Sequence, residues 1–144
     1  LLHTTYGCPT QALDLGAGAG ILAIALVKLG TPQVFATDID PIALDEARKN
    51  SLANGVISGI QFSDAPLEQL PIPFELIVAN LFSSTLVALS QSLHVGVKPT
   101  GHAILSGIQL DQEHEVLAAY RAPDWQLVQR LPRDEWVTLV FQRT

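Results

Sequence analysis

Short apolar and β-branched runs alternate with longer amphipathic ones along nearly the whole chain, and this alternation limits the fold more than any single motif does. Strand-like runs are read at 11–16, 33–39, 59–64, 74–81, 102–108, 125–131 and 136–143. Helical patterns fall between them. "GILAIALVKLG" is closed by Gly30, and "DPIALDEARKNSLANG" has Asp40 as N-cap, Pro41 in its first turn and Gly55 beyond its end. Further helices are expected at "SSTLVALSQSLHVGV" and "LDQEHEVLAAYRA", with Ser83 and Ser84 placed to cap the first of these. Strands separated by crossover-length helices imply a parallel sheet covered on both faces. The last two strands have only Pro132, Arg133 and Asp134 around their junction, too few for a crossover, so they form an antiparallel hairpin. The expected architecture is α/β and Rossmann-like: a doubly wound, seven-stranded, mostly parallel sheet with an antiparallel last strand.

Size and charge narrow the function. A chain of 144 residues and 15.5 kDa is read as a single domain over 1–144, with 1–10 left unassigned. The net charge of −6 argues against nucleic acid as a direct partner. "GILAIALV" stops at Lys28, well short of the roughly 20 apolar residues of a membrane span. One cysteine, Cys8, and no leader pattern fit a cytoplasmic protein. The chain contains no Met, so it is not read as a complete translation product: either something upstream was cut or Met-derived residues were left out. His3, His94, His102 and His114 are scattered without paired ligands, so no metal site is expected. Ser106 in "LSGI" lacks the nucleophile elbow of a hydrolase, and it and Gly107 read as a strand end. Trp125 and Trp136 flank the hairpin and are expected to cover the sheet edge.

"ALDLGAGAG", residues 12–20, follows the first strand, where open α/β sheets place their ligand loop. Gly16, Ala17 and Gly18 bring main chain close to a ligand, with the N–H groups of the two glycines facing it, and Gly20 lets the next helix pack close to the strand. A dinucleotide fingerprint needs a small residue at position 21, which is Ile21, so an NAD oxidoreductase is disfavoured. The pattern D-x-G-x-G-x-G instead resembles that of class I methyltransferases, which bind S-adenosylmethionine. Asp14 is then an acceptor for the ammonium of that ligand. A tight turn without ligand is the alternative.

Asp38 ends the second strand, 22 positions after Gly16 (38 minus 16), where a carboxylate accepts from both ribose hydroxyls. Ile39 is expected against the adenine, and Asp40 serves the helix as its cap. At the third strand end Asp64 is expected to accept from the adenine amine, while the Ala65 N–H donates to a ring nitrogen. Asn80 emerges from the apolar fourth strand, where an amide needs a partner. With the Leu81 carbonyl it is assigned to accept hydrogen bonds from an acceptor amine and aim its lone pair, so that rate comes from positioning and desolvation.

Five blocks, "LDLGAGAGILAIALVKLG", "ATDIDPIALDEARKNSLANGV", "ELIVANLFSSTLVAL", "LSGIQLDQEHEVLAAY" and "DEWVTLVFQR", are similar to successive blocks of the ribosomal protein L11 methyltransferase family. The resemblance runs over residues 12–144 and concerns the catalytic domain of that family, which is preceded there by a substrate-recognition domain. It implies a class I methyltransferase fold, trimethylation of amino groups on a ribosomal protein, and cofactor contacts at Gly16, Asp38 and Asn80. The family's G-x-H-P-T-T stretch, whose last threonine touches the cofactor, is matched only in part by His3-Thr4-Thr5, and Thr5 is carried over on that basis. Two functions stay open from the sequence: an S-adenosylmethionine-dependent protein amino-group methyltransferase, and a domain of that fold binding cofactor or partner without turnover. The acceptor and the oligomeric state are not legible.

Overall fold

The computed structural model describes residues 7–144, so His3 and Thr5 lie outside the described residues. The chain forms two compact units, the first running to Leu70 and the second spanning Pro71–Thr144. They carry three and four strands, together the seven of an α/β, mostly parallel sheet whose last strand is inverted.

In the first unit β1 (Gln11–Leu15), β2 (Gln33–Thr37) and β3 (Ile60–Ser63) pair in parallel in the order β3-β2-β1. Helices α1 (Ile21–Lys28) and α2 (Pro41–Ala53) make the crossovers. Ala12 to Asp14 and Val34 to Thr37 are buried without interruption, as expected of parallel strands covered on both faces. Helix α2 starts as the sequence predicts: the Asp40 carboxylate accepts from the Ile42 N–H at 2.9 Å, Pro41 fills the first position, and Gly55 turns the chain away at φ 69°.

The second unit orders β4 (Phe74–Asn80), β5 (Val97–Gln109), β7 (Trp136–Arg143) and β6 (Trp125–Arg133) as β4-β5-β7-β6. Strands β4 and β5 run parallel, and β7 is antiparallel to both of its neighbours. Four expectations are corrected here. The predicted helix over 83–97 is two helices, α3 (Ser83–Ala88) and α4 (Ser90–Gly96), divided at Leu89. Its N-cap is Phe82, with no side-chain cap bond; Ser83 lies inside the first turn and is buried, so neither serine caps the helix. Strand β5 begins at Val97, bends at Thr100 (φ 67°) and pairs steadily only from His102. The hairpin turn is Asp134–Glu135; Pro132 and Arg133 belong to β6, an edge strand where a missing N–H is tolerated.

The last helix, α5 (Glu113–Ala119), is fixed from two sides. Glu113 receives two hydrogen bonds from the Arg130 guanidinium at 2.6 and 2.7 Å, which hold its carboxyl below the usual range. The Tyr120 hydroxyl donates to the Leu86 carbonyl of α3 at 2.9 Å. Trp125 is buried against Tyr120 and Phe141 rather than lying over the sheet edge.

Close packing in the first unit depends on Gly20, the N-cap of α1. Its φ is 86°, and a Cβ there would lie 3.0 Å from the Ala47 Cβ and 3.2 Å from the Ala47 Cα. The sequence predicted that this glycine lets α1 pack close to the strand; the surface it meets is instead α2, through Ala47. Gly20→Ala is therefore expected to lower unfolding free energy by roughly 2–4 kcal/mol, from left-handed strain plus overpacking. Urea denaturation checks this, and an unchanged midpoint would contradict the packing argument.

Candidate active site

The glycine loop is built from the end of β2. The Thr37 carbonyl accepts from the N–H groups of Gly16 and Ala17, both at 2.8 Å, and the Asp38 Oδ2 accepts from the Gly18 N–H at 2.8 Å. The N–H groups expected to face a ligand are thus engaged within the chain. The loop carbonyl of Ala19 accepts from the Asn50 side chain of α2 at 2.9 Å. What the loop leaves open is space, since a Cβ on Gly18 would meet nothing within 4 Å.

Asp38 is half-buried, and its Oδ1 accepts from the Asp40 N–H at 3.0 Å. Each of its oxygens thus takes one backbone bond and keeps a second lone-pair site for another donor. Beside it the Ile39 side chain is 94% exposed. Asp64 is exposed after β3, whereas the Ala65 N–H donates to the Ser63 hydroxyl at 3.0 Å rather than standing free for a ring nitrogen.

Asp14 is only 1% exposed. Its Oδ2 accepts from the Ala23 N–H at 2.9 Å, one of the first-turn donors of α1 that the Gly20 cap leaves without a side-chain partner. The other oxygen, Oδ1, is buried with no hydrogen-bond partner among the described residues. Burial pushes this carboxyl up to about 7; the Ala23 bond opposes the rise and the Asp38 charge adds to it. The folded chain therefore holds this proton more tightly than the unfolded chain does.

In the second unit Asn80 stands exposed at the tip of β4, in a pocket of about 450 Å³ lined by Asn80, Leu81, Phe82, Ser106, Gly107 and Trp136. Phe82 is 80% and Trp136 43% exposed, so two aromatic side chains face solvent around one amide. The pocket floor is a β-bulge. Leu105 pairs with Leu139 and Ile108 with Val137, leaving Ser106 and Gly107 opposite Thr138 alone. The Ser106 carbonyl accepts from the Leu81 N–H at 3.2 Å, and Gly107 sits at φ 80°. A Cβ on Gly107 would lie 2.7 Å from the Leu81 carbonyl oxygen and 2.8 Å from the Asn80 Oδ1. The sequence reading missed Gly107 and Trp136. An isolated glycine in an apolar strand was the available signal for the first; nothing local marks the second.

The Asp14 shift has a definite sign. Because the folded carboxyl titrates near 7 and the unfolded one near 3.8, its stabilising contribution is complete below about 3.8 and is lost as pH rises through 7. The Asp14 contribution is expected to fall by roughly 1 kcal/mol per pH unit across that window. In Asp14→Asn this component should vanish, leaving a flatter curve in chemical denaturation from pH 4 to 7.5; an equal slope in both proteins would contradict the assignment.

Comparison with known proteins places these features in a family. The sequence model of the ribosomal protein L11 methyltransferase (PrmA) family matches residues 2–144. A ribosomal protein L11 methyltransferase of Allorhizobium ampelinum is 42% identical over 156 residues, covering 96% of this chain and 54% of the relative. That of Rhizobium meliloti is 42% identical over 138 residues, covering 92% and 47%. The chain thus spans about half the length of the curated relatives it matches. The crystal structure of a ribosomal protein L11 methylase from Lactobacillus delbrueckii subsp. bulgaricus matches with a TM-score of 0.91 at 31% identity, covering 99% of this chain and 74% of that one. An RNA methyltransferase from Salinibacter ruber shares the fold at TM-score 0.76 and 16% identity, covering 99% and 87%. On the match over residues 2–144 and the identity to these relatives, the chain belongs to the ribosomal protein L11 methyltransferase family.

Proposed function

We propose that the chain is the catalytic part of a cytoplasmic, S-adenosylmethionine-dependent protein methyltransferase that modifies amino groups, of lysine side chains or of an N-terminus, on a protein such as ribosomal protein L11. The observation that carries this reading is Asn80: an exposed amide at a strand tip, seated on a glycine bulge and walled by Phe82 and Trp136. The relatives' names support the protein substrate, and the acidic net charge of −6 supports protein over nucleic acid.

The first unit fits the cofactor. Asp14 offers a buried oxygen without a partner to an ammonium, Gly18 leaves open space beside the loop, Asp38 keeps accepting capacity for ribose hydroxyls, and Ile39 presents apolar surface to an adenine. Gly16 and Ala17 support the loop through Thr37 rather than by donating outward. Asp64 keeps its place as acceptor for the adenine amine, while Ala65 contributes its backbone position without a free N–H. Thr5 remains a cofactor contact on the family resemblance alone. When bound, S-adenosylmethionine supplies a methyl group already activated as a sulfonium.

The chain's own task is to present the amine. Asn80 Oδ1 and the Leu81 carbonyl accept its N–H bonds and direct its lone pair, and the aromatic walls take the aliphatic stem and exclude water. An alkyl ammonium with a pKa of roughly 10.4 must first lose a proton, and water receives it. Asn80 is also the residue that the resemblance places on the cofactor.

Asp38→Ala should abolish S-adenosylmethionine binding in calorimetry, while Asn80→Ala should lower the rate of methyl transfer by roughly 10- to 100-fold, the scale expected for lost positioning. Incubation of a cell extract with labelled methyl donor identifies the acceptor protein. Retained binding in Asp38→Ala would remove the ribose assignment, and an unchanged rate in Asn80→Ala would remove the acceptor assignment.

A further inference from the structure

The Asn80 pocket continues into a second lobe of about 300 Å³. Both lobes are lined by Phe82, Gly107 and Trp136, so the two aromatic side chains stand on their shared boundary. The chemistry changes across it. Beyond Phe82 and Trp136 the walls are Ser83, Ser84, Gln109, Gln112 and Glu115, of which Glu115 alone carries a charge.

Two features of this lobe are not explained by folding. The Ser83 side chain is 3% exposed, yet its Oγ has no hydrogen-bond partner among the described residues. A buried hydroxyl left so destabilises a fold, and the described residues supply no partner for it. Glu115 is exposed on α5, on the opposite side of the helix from the Glu113 that pairs with Arg130, and among the described residues no cation lines the lobe to meet it.

We propose that this lobe binds the polypeptide flanking the methylated amine, with Ser83 bonding its main chain and Glu115 selecting a neighbouring arginine or lysine side chain. The inference rests on reading the Asn80 pocket as the acceptor site, from which the lobe continues. An acid in a polar, partly enclosed groove favours a cation by charge complementarity, and the amides of Gln109 and Gln112 suit the donors and acceptors of an extended backbone. The selectivity so obtained is modest, because Glu115 is reached by solvent.

The test titrates the chain, with S-adenosylhomocysteine present, with peptides carrying a central lysine flanked by arginine or by its neutral isostere citrulline. The arginine peptide should bind about twofold to fivefold tighter, and Glu115→Gln should erase that difference while leaving the citrulline peptide unchanged. Ser83→Ala should weaken both peptides without lowering the melting temperature, an outcome that a purely structural hydroxyl would not give. The same arginine preference in Glu115→Gln, unchanged affinities in Ser83→Ala, or no binding of either peptide would overturn the proposal. Replacing the central lysine by leucine separates the two readings. If affinity depends on that lysine but not on the flanks, the acceptor site stands and the lobe assignment fails; if it depends on the flanks alone, the reverse holds.

Discussion

The last turn of β2 decides the shape of the ligand loop. Three successive N–H groups, of Gly16, Ala17 and Gly18, are accepted by the Thr37 carbonyl and the Asp38 carboxylate, so the loop after β1 is clasped by the strand beside it. Once those bonds form, Gly20 is carried against Ala47 and the first turn of α1 is brought to the Asp14 carboxylate. Backbone donors that are satisfied inside the chain need no ligand to remain ordered. The consequence is a cradle that offers side-chain acceptors, Asp14 and Asp38, rather than a ring of outward-pointing amides, and the proposed function assigns these to the cofactor.

A comparable device serves the second unit. The bulge at Ser106 and Gly107 interrupts the β5–β7 ladder, and the missing Cβ of Gly107 lets the Asn80 amide and the Leu81 carbonyl sit where a side chain would otherwise be. Bulges re-aim residues, and this one leaves the Asn80 amide oxygen and the Leu81 carbonyl side by side over Gly107 at the strand end. Each unit therefore presents oxygen acceptors on a backbone that is already committed, which supports the proposed function, where the main contribution is orientation.

The elements legible in the sequence are those set by local rules. Alternation of apolar patterns gave all seven strands, and Asp40, Pro41 and Gly55 gave both ends of α2, because caps and periodicity act over a few residues. The errors come from contacts distant in sequence. Ser83 and Ser84 have cap chemistry, but tertiary burial draws Ser83 inward and leaves Phe82 at the helix start. Pro132 suggested the turn, yet an unpaired edge accommodates it within β6, and Asp134 at φ 55° makes the turn instead. The glycines of the loop after β1, and the acids beside it, were legible as a group because a strand-to-helix turn fixes their spacing. Gly107 and Trp136 join Asn80 only through strand pairing, which no short window contains. The Ala65 N–H was misassigned for the opposite reason: the Ser63 hydroxyl, two residues away, takes it.

Amide hydrogen exchange of the ligand-free chain, resolved by NMR at Gly16, Ala17 and Gly18, tests the central claim that the cradle is built by the protein alone. The account predicts that these three amides are protected to a degree comparable with the neighbouring strand before any S-adenosylmethionine is added. Exchange at the rate of an open loop, slowed only when the ligand is present, would show that the ligand and not the end of β2 organises the site.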